Sequence, residues 1–246
     1  IDLVAMCVND IIVLGGGTGN AVANASVDAG LDTALVERGR LGGTCLNRGC
    51  NPTKKLIHRA DVAESIRHAD ELGIDASVDG VEFAAIVDDV IKTVTEAAEE
   101  KARRARNRSG LTFYQAEGRF VGPHTVEVDN NNGPRGERFT AEKIVLAGGS
   151  RPMVPDSIDG TDETPYLTSD EALRLDALPD RLVVVGGGYI AVELSHFFSQ
   201  MGSDVTIVGH GDVLAAREDA AIAERLTEAY REKHELHLGF EATAIA

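Results

Sequence analysis

The residues best suited to chemistry lie in one stretch, LGGTCLNRGCNPTK, residues 41–54. Two of the three cysteines, Cys45 and Cys50, stand there with four residues between them, behind two glycines and ahead of a proline and a lysine. Cysteines this close can be small buried apolar side chains, because free cysteine is commonly buried. Structural zinc needs four ligands, usually in close pairs, and no second pair follows, so no metal is expected. A reversible dithiol/disulfide at a loop-to-helix junction accounts for the spacing better, because exposed amides and the helix field at an N-terminus favour thiolate over thiol. Lys54 follows Cys50 by one helical turn and can share its face; away from a dithiol it reads as a surface lysine.

The chain around this stretch has 246 residues and 43% hydrophobic content, enough for one large or two ordinary domains with real cores. Its 40 acidic and 24 basic residues leave a formal charge of −16, which argues against nucleic acid as a main partner. Such a surface suits a salt-rich cytoplasm, where screening weakens self-repulsion. Stability is then expected to rise from low to molar salt, and a flat profile would count against that reading. Three cysteines without disulfide-dense spacing fit a cytoplasmic redox protein better than a secreted scaffold. Residues 1–8 are apolar but short and lack a basic start, so no targeting segment is expected. No apolar run approaches the length of a membrane span, so no membrane partner is expected either.

The elements that must position the dithiol begin with Ile11, Ile12, Val13 and Leu14, an apolar run that predicts a buried parallel strand. It feeds into Gly15, Gly16, Gly17, Thr18, Gly19 and Asn20, then an alanine-rich helix over residues 21–29. Small residues between strand and helix let a backbone approach a pyrophosphate at the helix N-terminus. The third glycine of the usual fingerprint falls at Asn20. A second strand over 33–36 ends in Glu37, placed to accept hydrogen bonds from an adenosine ribose. Alone, the glycines could form only a tight turn; with strand, helix and acid they read as a nucleotide loop.

Beyond the dithiol, apolar spacing predicts helices over 52–72 and 81–106, with a break over 73–80. Pro52 places a conformational break beside Cys50, and the basic run KARRARNR reads as a solvated helix end. Short strands are expected over 111–114, 117–121, 125–128, 138–140 and 143–147, with a loop over 129–137. Residues 155–180 form a crossing that contains a short helix over 169–175. The arithmetic then repeats: a strand over 182–185, Gly186, Gly188 and Ala191 in GxGxxA spacing, a helix to about residue 200, and a strand over 204–208. Gly209 stands where the first unit has Glu37. The predicted fold class is α/β, with two Rossmann-like nucleotide-binding units, the second incomplete; a duplicated fold with only one working site is the alternative.

The combination GGTCLNRGCNPTK, VLGGGTGN, IVLAGGSRP and VVVGGGYIAVEL resembles the pyridine nucleotide-disulfide oxidoreductases, particularly their dihydrolipoamide dehydrogenase-like members. The resemblance implies an FAD-binding region over 1–155 and a partial NAD(P)-binding domain over 156–246. It implies that Gly15, Gly17, Gly19, Glu37, Gly43, Thr44, Gly118 and Gly149 serve FAD, and that Gly186, Gly188, Tyr189 and Glu193 serve NAD or NADP. Cys45 becomes the thiol that exchanges with a lipoyl or other dithiol/disulfide substrate, and Cys50 the thiolate that faces flavin; a mycothione-, glutathione- or mercuric-reductase-like enzyme, or a nonenzymatic flavin-binding protein, is the alternative. Lys54 and Glu193 become a pair beside the flavin, and Tyr189 an aromatic lid over the nicotinamide site.

Relative to that pattern the chain departs at Asn20, Asn51, Gly148 and Gly209. The last removes the acid expected for NAD ribose and leaves room for NADP, with His210 and Arg217 as weak contacts to an added phosphate, while the dehydrogenase resemblance slightly favours NAD. The resemblance also implies a C-terminal dimerisation domain, absent from this sequence, that would bring a His-Glu pair to a partner subunit in a homodimer. His58, His68, His124 and His196 offer no equivalent and read as structural or surface residues.

Overall fold

The computed structural model describes residues 7–129 and 135–245. The apolar residues 1–6 and most of the expected loop over 129–137 lie outside the described residues. Two compact units emerge. The first comprises the described residues up to Asn51 together with Lys92–Arg151, the second Pro52–Ile91 together with Pro152 onward. The chain passes between them at Asn51–Pro52, Ile91–Lys92 and Arg151–Pro152.

The first unit is built on β1 (Cys7–Leu14), helix α1 (Thr18–Asp28) and β2 (Thr33–Val36). Next come a short helix α2 (Gly43–Arg48), the start of α3 (Cys50–Arg67) and the later part of α4 (Phe83–Arg106). Strands β3 (Leu111–Tyr114), β4 (Glu117–Gly122), β5 (Thr125–Asp129) and β6 (Arg135–Leu146) complete it. The sheet runs β3-β2-β1-β6-β5-β4. β3, β2, β1 and β6 are parallel, and β5 and β4 extend the sheet antiparallel. Successive strand residues point to opposite faces, and both faces are covered. Ile12, Leu14, Ala34 and Val36 join Val126, Val128 and Phe139 on one side. Val13 and Leu35 join Ala23, Leu41, Ala102, Ala105 and Leu111 on the other. This two-sided burial explains why IIVL and TALV are continuous apolar runs rather than alternating ones.

The strands expected separately at 138–140 and 143–147 are one strand, β6. Glu142 and Lys143 interrupt the apolar pattern, but backbone pairing carries through them, with Asn9 opposite Ala141 and Ile11 opposite Lys143. On the antiparallel side Glu127 stands opposite both Arg119 and Arg138 in register and pairs with both guanidinium groups. Those partners hold its carboxyl below the usual range, the Arg138 hydrogen bond most of all. The basic run ending α4 is matched within the unit. Arg103 and Arg104 pair with Glu100, Arg106 donates to Gln115, and Arg108 pairs with Asp28.

The second unit contains most of α3, the start of α4, α5 (Ser169–Ala172), β7 (Arg181–Val185) and α6 (Tyr189–Met201). It continues with β8 (Asp204–Gly209), α7 (Ala220–Arg231) and β9 (Glu235–Leu238). α5 is shorter than the expected 169–175 helix and starts at a capping box, Thr168 with Glu171. The sheet is parallel in the order β7-β8-β9. Its core joins Leu56 and Ala60 of α3, Phe83, Val87 and Val90 of α4, and Leu194, Phe197 and Phe198 of α6. The rings of Phe197 and Phe198 meet edge-on at 5.2 Å. His196 of α6, expected to be structural, pairs with Asp61 of α3 at 2.9 Å.

Candidate functional site

In the first unit the glycine loop is held from both sides by backbone. The Gly15 amide donates to the Val36 carbonyl at 2.8 Å, and the Ala147 amide to the Leu14 carbonyl at 2.7 Å. Gly15 has φ +114°, and a Cβ there would lie 1.9 Å from the Ala147 carbonyl oxygen, so only glycine fits. Gly19 turns inward, where a Cβ would meet Val13 at 2.8 Å. Gly118 lies against Val36 and Leu14. The Glu37 carboxylate accepts from the Gly16 amide at 2.6 Å and from the Gly39 amide at 2.7 Å, tying the loop to the end of β2. Gly16 is a residue the fingerprint passes over. Its signal was its place between two fingerprint glycines, which says that it is small but not that its amide meets the acid.

The dithiol stretch folds back on that loop. The Gly42 amide donates to the Gly16 carbonyl at 3.0 Å, and a Cβ on Gly43 would lie 2.5 Å from the Gly17 Cα. Gly17 and Gly43 therefore meet backbone to backbone. Thr44 and Cys45 follow, exposed, on α2. The break expected beside Cys50 falls there, but it is made by Gly49, which packs against the Thr44 carbonyl, and not by Pro52. α3 starts at Cys50, and Pro52 lies buried in its first turn, where the missing amide hydrogen costs no helical bond. Both thiols are free and exposed. Cys45 is pushed above its ordinary value first by its hydrogen bond with Cys50, then by desolvation and the Cys50 charge, with the Cys50 backbone amide and then Lys101 pulling the other way.

The second unit repeats the loop. The Gly186 amide donates to the Val208 carbonyl at 2.7 Å with φ +124°, as Gly15 does to Val36. The Ala215 amide donates to the Gly187 carbonyl at 2.7 Å, as Gly42 does to Gly16. Tyr189 opens α6 with 67% of its surface exposed. One turn on, Glu193 forms an ion pair with Lys54 of α3. Gly209 closes β8, and a Cβ there would meet Leu238 at 3.2 Å and the Gly187 backbone at 3.5 Å, so the strand end has little room for a side chain. His210 and Arg217 are exposed. Asp61, Glu64 and His196 bring possible ligand atoms within 4.8 Å of one another, but Glu64 is already matched by Lys233.

Both loops fit a dinucleotide pyrophosphate. α1 is N-capped by Gly17 and α6 by Gly188, neither with a side-chain cap nor an acid in its first turn. Amides left without a partner there favour a bound anion. A Cβ on Gly148, Gly149, Gly186 or Gly188 would meet nothing within 4 Å, so the backbone is bare where a ligand must approach.

Beside Glu193, Tyr230 is half-buried and donates its hydroxyl to the Val192 carbonyl at 2.9 Å. Burial, helped by the charges of Glu64 and Glu193, pushes its pKa up to about 12. The unfolded chain gives up this proton near pH ~10, so the stabilisation is complete below that and is lost as pH rises toward 12. Denaturation midpoints measured against pH are expected to fall more steeply across that window for the native chain than for Tyr230→Phe. Parallel curves would contradict this.

Two strand–glycine–helix units with bare, uncapped helix starts, one of them backed by a free thiol pair, define an α/β protein with two dinucleotide-binding folds and a dithiol. The chain belongs to the pyridine nucleotide-disulphide oxidoreductase family, which it matches over residues 9–245. It is 40% identical over 232 residues to mycothione reductase of Mycobacterium tuberculosis (strain H37Rv), covering 92% of this chain and 49% of that protein. It is 39% identical over 215 residues to dihydrolipoyl dehydrogenase 2 of Haloarcula marismortui, covering 85% and 44%. The fold superposes with a TM-score of 0.83 on the Cu(II) complex of the HOCl-induced flavoprotein disulfide reductase RclA from Escherichia coli, at 27% identity, covering 98% of this chain and 51% of that one. The chain spans about half the length of the curated relatives it matches. Among the described residues no helix is long and apolar enough to cross a membrane.

Proposed function

We propose that the protein is a flavin-dependent disulfide oxidoreductase that moves electrons between a dithiol/disulfide substrate and NAD or NADP, with dihydrolipoyl groups as the substrate. The observation that carries this reading is the free Cys45–Cys50 pair in the stretch whose Gly42 and Gly43 meet the first glycine loop. FAD, held by the uncapped start of α1 and the bare Gly148–Gly149 backbone, would supply the link between two-electron thiol chemistry and hydride exchange. The chain's own residues do the rest. The exposed Cys45 sulfur meets the substrate, Cys50 closes the disulfide, and the Lys54–Glu193 pair fixes a positive charge on α3. Tyr189, exposed at the second loop, is placed to cover a nicotinamide. Gly209 withholds the acid that binds the ribose of NAD, so the strand end does not select against NADP.

The near-equal likeness to a mycothione reductase supports a second reading, in which the substrate is the disulfide of a small thiol. Anaerobic mixing of the FAD-loaded chain with dihydrolipoamide, and of its reduced form with mycothione, separates the two. Rapid flavin reduction by dihydrolipoamide supports the lipoyl reading. Slow reduction by it, with fast reoxidation by mycothione, supports the second. Parallel reductions with NADH and NADPH at equal concentration read the nicotinamide preference.

A further inference from the structure

Asn51 presents a polar amide beside the thiols. Asn51 is exposed in the first turn of α3, immediately after Cys50, and its Oδ1 lies 3.9 Å from the Cys45 Sγ, at the reach of a weak S–H···O hydrogen bond. Cys45 sits on α2, across the Gly49 break. The titratable groups that bear on it are Cys50 on α3, which hydrogen-bonds it, and Lys101 on α4, which acts on it by charge.

We propose that Asn51 is a positioning residue for Cys45: its amide carbonyl offers the Cys45 thiol hydrogen a second acceptor beside the Cys50 sulfur and helps keep the resting proton of the reduced dithiol on Cys45. The role rests on the reading of Cys45 as the exchange thiol. A carbonyl acceptor stabilises only the protonated sulfur, because a thiolate has no hydrogen to give it. With the proton held on Cys45, the single negative charge of the half-ionised pair resides on Cys50, and Cys45 becomes nucleophilic only when its hydrogen leaves the amide. An aliphatic side chain at this position has no acceptor and cannot make that distinction.

The test is the pH dependence of alkylation of the reduced full chain, by initial rates with iodoacetamide. Trypsin cleaves after Arg48 and places Cys45 and Cys50 on separate peptides, so each thiol is read by mass spectrometry. Asn51→Val is expected to lower the Cys45 midpoint by about half a pH unit, roughly a three-fold gain in thiolate below the midpoint, the scale of one weak neutral hydrogen bond. Asn51→Asp keeps the shape and adds charge to the acceptor, and is expected to raise the midpoint. An unchanged or raised midpoint in Asn51→Val overturns the proposal. If Asn51→Val unfolds, shown by the two cysteines converging on one midpoint, Asn51→Ala takes its place: it also lacks the acceptor, a lowered Cys45 midpoint supports the proposal, and an unchanged or raised one overturns it. The measurement uses neither flavin nor nicotinamide, so it can fail while flavin reduction succeeds, and the reverse.

Discussion

Cys45→Ser is expected to lower electron exchange between the FAD-loaded chain and dihydrolipoamide on the order of a thousand-fold or more, the scale of removing a nucleophile. A serine hydroxyl neither ionises near neutral pH nor attacks sulfur, so no mixed disulfide can form at position 45. Cys50→Ser is expected to stop turnover at a different point. Cys45 then attacks an added disulfide, a bond forms between its sulfur and one half of the substrate, and the other half leaves as a thiol. Without Cys50 nothing displaces the bound half, so the adduct accumulates on Cys45 and is read by intact mass. Both thiols are exposed, so neither change opens a cavity and both variants are expected to keep the native denaturation midpoint. Adduct on Cys50 in Cys45→Ser, at the native rate, would exchange the two roles.

The second large effect is structural. Gly15→Ala puts a Cβ 1.9 Å from the Ala147 carbonyl oxygen, at φ +114°. The obstacle is backbone, paired through β6 to β1, so no rotamer change relieves it and a strand exit must move. Overpacking and the strained φ together are expected to cost about 3 kcal/mol or more, and to displace the Gly16 amide from Glu37. The variant is expected to lose FAD as well as stability. Gly148→Ala is the control. Its Cβ meets nothing and its backbone is ordinary, so its denaturation midpoint is expected to stay within about 0.5 kcal/mol of native. A Gly15→Ala chain as stable as Gly148→Ala would mean that the β1–β6 exit is not held as described.

Much of this was legible in the sequence because local rules and tertiary structure agree. IIVL followed by glycines and an alanine-rich run has one sensible reading, and Glu37 lies where that reading requires an acid. What sequence could not carry was partnership. The apolar face of residues 52–72 predicts burial, but nothing in its period says that Leu56 and Ala60 pack with Phe197 and Phe198 rather than with the sheet of the first unit. The residue that makes the break beside Cys50 was hidden for a related reason. Pro52 is the stronger local signal, yet a helix tolerates proline in its first turn, and Gly49 breaks the chain. β6 hid behind Glu142 and Lys143, whose side chains are polar while their backbone continues a ladder. Residues 220–238 were passed over, although they hold α7 and β9. The ion pair of Lys54 with Glu193 came only through resemblance, since no spacing rule joins α3 to α6.

The central claim is that the first unit holds flavin with Cys50 facing it, and two-electron reduction of the FAD-loaded chain under anaerobic conditions tests it most directly. A long-wavelength charge-transfer band between the Cys50 thiolate and oxidised flavin is predicted to appear in the native chain when two electrons reduce the Cys45–Cys50 disulfide, to be present in Cys45→Ser before any reductant is added, and to be absent in Cys50→Ser. A chain that takes up no FAD, or a band that survives Cys50→Ser, would contradict it.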